Sequence, residues 1–387
     1  MKIAAIIAEY NPFHNGHAYL IHQARQQGAT HIVAVMNGNF TQRGECAVVS
    51  KWARAEMALA CGADLILELP LAFGAASAER FAFGGVCVAH QLGCVAMLAF
   101  GAETAHLPLL QAAAQAVDDR QVLANIKSEI RTGRSFPAAR QKAVADHFGE
   151  QTAAVLCSPN NILAVEYIKA LHALQSNIAP LPVQRVGPAH DSAVMVPGFA
   201  SASAIRSVAT AGQAQAFMPP AAFEIYAGEL ARRATPGHEK WQAVVLCKLR
   251  ALTKADFAAL PGGEHGLCDR LYEKVKSATG LQALYDAVKT KSVTHSRVRR
   301  LVLHAFLGIT QEALTDQPYL RVLGLNEHGR EILRAAGPGA KPVLRVRELA
   351  EHPAFALECR ATDQYSAILK KPAPCGREFT EQVIVMG

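Results

Sequence analysis

His14 and His17 stand three residues apart, with Gly16 between them, at the end of the stretch KIAAIIAEYNPFHNGH (residues 2–17). On a helical turn that spacing puts both imidazoles on one face, where they can point at the same anion. Imidazole donates to phosphate oxygens and, as imidazolium, offsets charge that grows in a phosphoryl-transfer transition state. Gly16 removes a side chain where a phosphate has to approach the backbone. The pair reads as a site for a nucleotide α-phosphate. Two histidines at this spacing also suit a metal, but no third ligand stands nearby, and a solvated pair is the plain alternative.

The flanking elements favour the phosphate. Ile3–Ala8 is an apolar run long enough for one buried parallel strand. Glu9, Tyr10, Asn11 and Pro12 form a polar turn that cannot continue it, and Ala18, Tyr19, Leu20 and Ile21 read as a helix. The first turn of a helix offers unpaired N–H groups and a positive dipole end, which attract anions. A second apolar run at residues 31–36 completes the span of a βαβ unit.

HNGH in this setting resembles the signature of the HIGH-type nucleotidyltransferase superfamily. MNGNFTQRGE (36–45), VVSKWARAEMAL (48–59) and DLILELP (64–70) extend the likeness to the bacterial tRNA(Met) cytidine acetate ligase family. The family's usual pattern has Ser where this chain has Asn37, and Pro where it has Cys46. The resemblance implies activation of acetate by ATP, with Mg²⁺, to acetyl-adenylate. It further implies transfer of the acetyl group to N4 of the wobble cytidine of elongator tRNA(Met). It implies catalysis by His14 and His17, and ATP contacts from Ile7, Ala8, Glu9, Tyr10, Asn11, Pro12, Phe13, His14, Asn15, Gly16, His17, Ala18, Tyr19 and Leu20. Gly101, Arg185 and one of Asn160 and Asn161 in SPNNILAVEYIKAL (158–171) would also touch ATP. SASAIR (201–206) resembles the second superfamily signature, so Ser203 and Arg206 would hold the β- and γ-phosphates.

Taken by its residues alone, the rest of the chain fits an α/β, doubly wound parallel sheet followed by a mainly helical domain. A length of 387 residues suggests two domains, here 1–212 and 213–387. Further strands are expected at 64–69, 95–100 and 182–186, with a helix at Ala78–Gln91 between the first two. Gly101 then lies just past a strand's carboxyl end, where ligands bind in such sheets. Arg43, in the polar loop 37–49, suits a phosphate or plain solvent. Ser50 caps a helix over 51–61, on which Lys51 and Arg54 share a side, either touching phosphates or exposed. Residues 107–149 are helical, with breaks at Gly133 and Pro137.

Past Gly212 the pattern is helix only, with amphipathic segments at 241–252, 267–278 and Leu281–Val288. KTKSVTHSRVRRLVLH (289–304) is the densest basic cluster, and Arg297, Arg300 and His304 follow a helical i, i+3, i+7 course. Lys289, Lys291, Arg297, Arg299 and Arg300 suit a phosphate backbone and carry no base specificity by themselves. The net charge of +7 agrees with a polyanionic partner. Nine scattered cysteines with no CxxC pair, Cys61 and Cys247 in apolar stretches among them, read as buried free thiols in a reducing cytoplasm. Residues 81–102 lack Asp, Glu, Lys and Arg, but Gly84, Gly85, His90, Gln91 and Gly93 interrupt them, so no membrane span and no signal peptide is expected.

Three functions fit these residues: acetate ligation to tRNA, adenylyl transfer to a small molecule, and RNA binding without catalysis. The intact HNGH and SASAIR elements argue against the last. The long helical half and its basic cluster argue against the second.

Overall fold

The computed structural model describes residues 1–187, 196–207, 211–264, 266–314 and 317–387. Its centre is an eight-stranded sheet. The strands are β1 (Ile3–Ala8), β2 (His31–Asn37), β3 (Leu65–Leu69), β4 (Val95–Ala102), β5 (Ala179–Gln184), β6 (Leu320–Leu325), β7 (Pro342–Val343) and β8 (Ile384–Val385). They lie in the order β5-β4-β1-β2-β3-β6-β7, with β8 also beside β6. β1 to β5 pair in parallel, while β6 runs antiparallel to β3. Helices cover both faces, which explains why these strands are nearly all apolar. In β2, Ile32, Ala34 and Met36 enter the core on one face, and Val33 and Val35 the core on the other.

Strand order reverses between β1 and β4, since the chain moves outward from β1 through β2 and β3 before crossing back. In open α/β sheets a crevice forms at such a switch point, outside the strands' carboxyl ends. The HNGH turn stands there. The strands that flank this crevice differ from expectation at their boundaries. β4 runs on to Ala102, so Gly101 lies inside the strand, paired with Val183. β5 begins at Ala179, three residues early. It carries Pro180 and Pro182 because it is an edge strand, where a missing N–H costs no ladder bond.

Residues 213–387 do not keep to helices. LRVLGL at β6 is a six-residue buried run, and periodicity alone does not separate such a run from buried helix. β6 pairs with β3, so this half completes the sheet of the other. The helices His238–Ala251, Leu281–Val288, His295–Leu307 and Pro353–Ile368 pack around Trp241, Leu284, Val302, Phe306 and Tyr365. Phe40 and Leu71 of the first half enter the same core.

A buried ionic cluster ties these layers together. Lys51 Nζ meets Glu68 of β3, Glu378 at 2.6 Å and Glu358 at 3.3 Å. Arg321 of β6 bridges Glu68 and Glu378, and the Tyr319 hydroxyl donates to Glu68 at 3.2 Å. Burial pushes the Glu358 carboxyl up, while Lys51 and Arg321 hold Glu378 down. Lys51 and Arg54 are both fully buried. Lys51 therefore serves this cluster and meets neither phosphate nor solvent.

Candidate active site

The turn after β1 is fixed from several sides. Tyr10 takes a left-handed backbone (φ 48°), and its ring packs on Phe13 with centroids 4.9 Å apart. The Arg54 guanidinium donates to the carbonyls of Glu9 (2.7 Å) and Gly38, holding the ends of β1 and β2 together. Asn11 accepts the Val48 N–H through Oδ1 and an Arg206 N–H through its carbonyl, each at 2.7 Å. The turn is thus wired to the 37–49 loop and to the SASAIR element.

The helix Asn15–Gln26 begins with His14 as its N-cap. His14 Nδ1 accepts the Gly16 N–H at 3.0 Å, and His17 Nδ1 accepts the His14 N–H at 3.1 Å, a reciprocal capping box built from two histidines. The rings stack with centroids 3.7 Å apart. A ring nitrogen that accepts a backbone N–H carries no proton, so the box places each ring's proton on Nε2. Burial, then repulsion from His14 and Arg185, holds the His17 imidazole well below its ordinary value of 6.5. His17 therefore works as a neutral donor, and the imidazolium role does not apply to it.

A cavity of about 740 Å³ opens at the carboxyl ends of β1 and β4. A site of that size suits a nucleotide with part of a second substrate. Gly101, Asn160 and Arg185 line it together with His14, Gly16, His17, Ser203 and Arg206. Thr294, His295, Ser296, Arg299 and Arg300 line the same cavity. A Cβ added at Gly101 would come within 3.2 Å of the Arg185 side chain. Ser203 Oγ lies 2.9 Å from Ser201 Oγ, and Ser201 caps the helix Ala202–Ser207 through the Ala204 N–H at 3.1 Å. A larger groove of about 1060 Å³ along β6 holds none of the HNGH or SASAIR residues.

Not every expected residue reaches the cavity wall. Ile7, Ala8, Glu9, Tyr10, Asn11, Tyr19 and Leu20 do, while Pro12, Phe13, Asn15 and Ala18 stand behind it. Phe13 is core, and Asn15 Nδ2 donates to the Gly198 carbonyl at 2.8 Å. Of the two asparagines only Asn160 lines the cavity, its amide donating to Glu103 at 2.6 Å. Asn161 is buried and accepts the Thr104 N–H at 2.9 Å.

The basic cluster splits. Lys289 and Lys291 are exposed, and Arg297 donates to the Gly262 carbonyl and pairs with Glu264. Arg299 and Arg300 turn toward the cavity, where burial and then Arg297 and Arg43 lower Arg300 to about 10. His304 leaves the expected basic stripe: it is buried, and its Nε2 meets the Ala75 carbonyl at 2.8 Å. The cysteines are not buried as expected: only Cys87 is, while Cys157, Cys247 and Cys375 are exposed and the other five, Cys61 among them, are half-buried. Sequence reasoning passed over Glu45, whose carboxylate takes Arg299 at 2.7 Å and stands 3.8 Å from Arg206. It also passed over Thr294, the N-cap of the His295–Leu307 helix; the TH step before an apolar run was the available signal. Among the described residues no group of three or more His, Cys, Asp or Glu could hold a metal, and no helix is long and apolar enough to cross a membrane.

A histidine-capped helix at the switch point of a doubly wound sheet, facing SASAIR across one cavity, defines a nucleotidyltransferase of the HIGH class. A family model described as HIGH Nucleotidyl Transferase matches residues 1–379. A protein of Acetivibrio thermocellus named tRNA(Met) cytidine acetate ligase is 34% identical, with 100% of both chains covered. One of the same name from Syntrophomonas wolfei is 35% identical over 98% of each. The crystal structure of Thermotoga maritima TmcAL bound with alpha-thio ATP superposes with a TM-score of 0.91 at 32% identity, covering 100% of both chains. The chain belongs to the tRNA(Met) cytidine acetate ligase family.

Proposed function

We propose that this chain joins acetate to ATP as acetyl-adenylate and passes the acetyl group to N4 of the wobble cytidine of elongator tRNA(Met), giving N4-acetylcytidine. The observation that carries this reading is one cavity running from the HNGH imidazoles to Arg299 and Arg300. A phosphate-activating site and the start of a basic helix share it.

ATP would lie with its adenosine end against Gly101, Asn160 and Arg185. Its α-phosphate would then face the Nε2–H groups of His14 and His17. As an acetate oxygen attacks phosphorus and pyrophosphate leaves, both neutral rings donate to oxygens gaining charge, preorganised by the capping box. Ser203 and the second nitrogen of Arg206 would hold the leaving β- and γ-phosphates. Among the described residues the wall supplies one carboxylate, Glu9, so a Mg²⁺ ion would be held chiefly by the nucleotide's own oxygens and water, offsetting their charge. No side-chain nucleophile is required, and catalysis rests on positioning and electrostatics.

The tRNA would approach over the helical part of residues 213–387, with Lys289, Lys291 and Arg297 on its phosphates, and Arg299 and Arg300 where the anticodon enters. ATP, acetate and tRNA meet in the cytoplasm, the compartment this reading requires. The test incubates the protein with ATP, labelled acetate and elongator tRNA(Met), followed by nucleoside analysis. Label in acetylcytidine is the expected result. AMP transferred to a small metabolite, or tRNA binding without ATP turnover, would overturn it.

A further inference from the structure

Acetyl transfer to an amine releases a proton, and few groups in the cavity can take it. His14 and His17 already use their acceptor nitrogens on backbone N–H groups, so neither offers the amine a lone pair. His295 also lines the cavity, and its Nε2 lies 3.7 Å from Asp286. Glu9 is the one carboxylate among the described residues at the wall, and it sits on the same turn as the HNGH histidines. The Gln42 N–H donates to its Oε1 at 2.7 Å, which fixes the carboxyl plane, while Oε2 has no hydrogen bond to a described residue.

From these contacts, and resting on the function proposed above, we infer that Glu9 is the general base of the acetyl-transfer step. The cytidine N4 attacks the acetyl carbon of the mixed anhydride, forming the C–N bond. The bond from that carbon to the phosphate oxygen breaks, AMP leaves with its electron pair, and Glu9 Oε2 takes the N4 proton. Acetate activation needs no such acceptor, because acetate attacks as an anion. Glu9 thus separates the two half-reactions.

The surroundings suit the task. Burial raises the Glu9 pKa, against the Gln42 N–H, Arg206, Arg43 and Arg54, which lower it. Tyr167, from the helix Pro159–Ala173, is the further titratable neighbour, itself pushed up by burial and by Glu9. A base whose pKa is raised holds a transferred proton better. The transfer rate should therefore fall as pH drops through that raised value.

The experiment compares wild type, Glu9→Gln and His295→Ala. Acetate-dependent ATP–pyrophosphate exchange reads activation, and single-turnover acetylation of tRNA from preformed adenylate reads transfer, each across pH. Glutamine keeps the acceptor for the Gln42 N–H, so the fold is retained. Glu9→Gln should slow transfer about 100-fold or more, at least about tenfold more than it slows exchange, with the acid limb of the transfer profile lost. His295→Ala should keep that limb. Equal loss of both half-reactions in Glu9→Gln, an unchanged transfer rate, or loss of the limb only in His295→Ala would overturn the assignment. A wild-type protein that makes adenylate but no acetylcytidine would instead refute the function beneath it.

Discussion

His17→Ala removes one of the two Nε2–H donors that the proposed mechanism places at the α-phosphate, and the acceptor of the His14 N–H at 3.1 Å. Loss of one preorganised donor at a charge-developing oxygen costs about 100- to 1000-fold in rate, or about 3–4 kcal/mol of barrier. The stranded N–H, on a half-buried cap, adds a stability loss of about 1 kcal/mol. His17→Gln separates these effects, because glutamine at the third helical position is an ordinary capping-box partner. It should recover the unfolding midpoint while exchange stays at least about tenfold below wild type. ATP–pyrophosphate exchange, urea unfolding and tRNA binding read the three quantities, and tRNA affinity should not move. Because the folded-state value of His17 lies well below 6.5, the folded protein binds fewer protons there than the unfolded chain. Its contribution to stability is full above 6.5 and is lost as pH falls from 6.5 toward the folded value. Exchange should show no rise as pH falls through 6.5. Such a rise, or a normal rate in His17→Ala, would refute the neutral-donor mechanism.

Lys51→Met leaves Glu68, Glu358 and Glu378 with Arg321 alone, and should lower stability by about 3–5 kcal/mol in urea unfolding at neutral pH. The deficit should shrink in acid as those carboxyls take up protons. Gly101→Val places a branched side chain against Arg185 and should raise the KM for ATP about tenfold or more with little change in urea midpoint, measured by exchange kinetics. Lys289→Ala with Lys291→Ala should leave exchange intact and reduce the slope of log tRNA affinity against log salt by about 2, read by titration at several salt concentrations.

The regular strands and helices that build the site were legible because each obeys a local rule. β1 and the helix Ala78–Gln91 match their expected bounds residue for residue. HNGH and SASAIR could be placed on one cavity because strand-turn-helix chemistry fixes where a helix N-terminus points. What escaped depends on contacts across long stretches of chain. Lys51 and Arg54 look like cations that meet phosphate or solvent until Glu68, Glu358, Glu378 and the Glu9 carbonyl close around them. Arg299 is one basic residue among several until Glu45, 254 positions away, selects it. β6 was missed because a six-residue run, apolar but for Arg321, carries no period that separates a strand from a buried helix.

The antiparallel seat of β6 also sets a timetable for synthesis. Until the ribosome has made residues 320–325, β3 is an open edge with unpaired N–H and C=O groups, beside a cluster that lacks Arg321, Glu358 and Glu378. An emerging chain of this kind exposes a template for wrong pairing. A gene truncated at residue 212 would make that condition permanent, so residues 1–212 should aggregate when expressed by themselves.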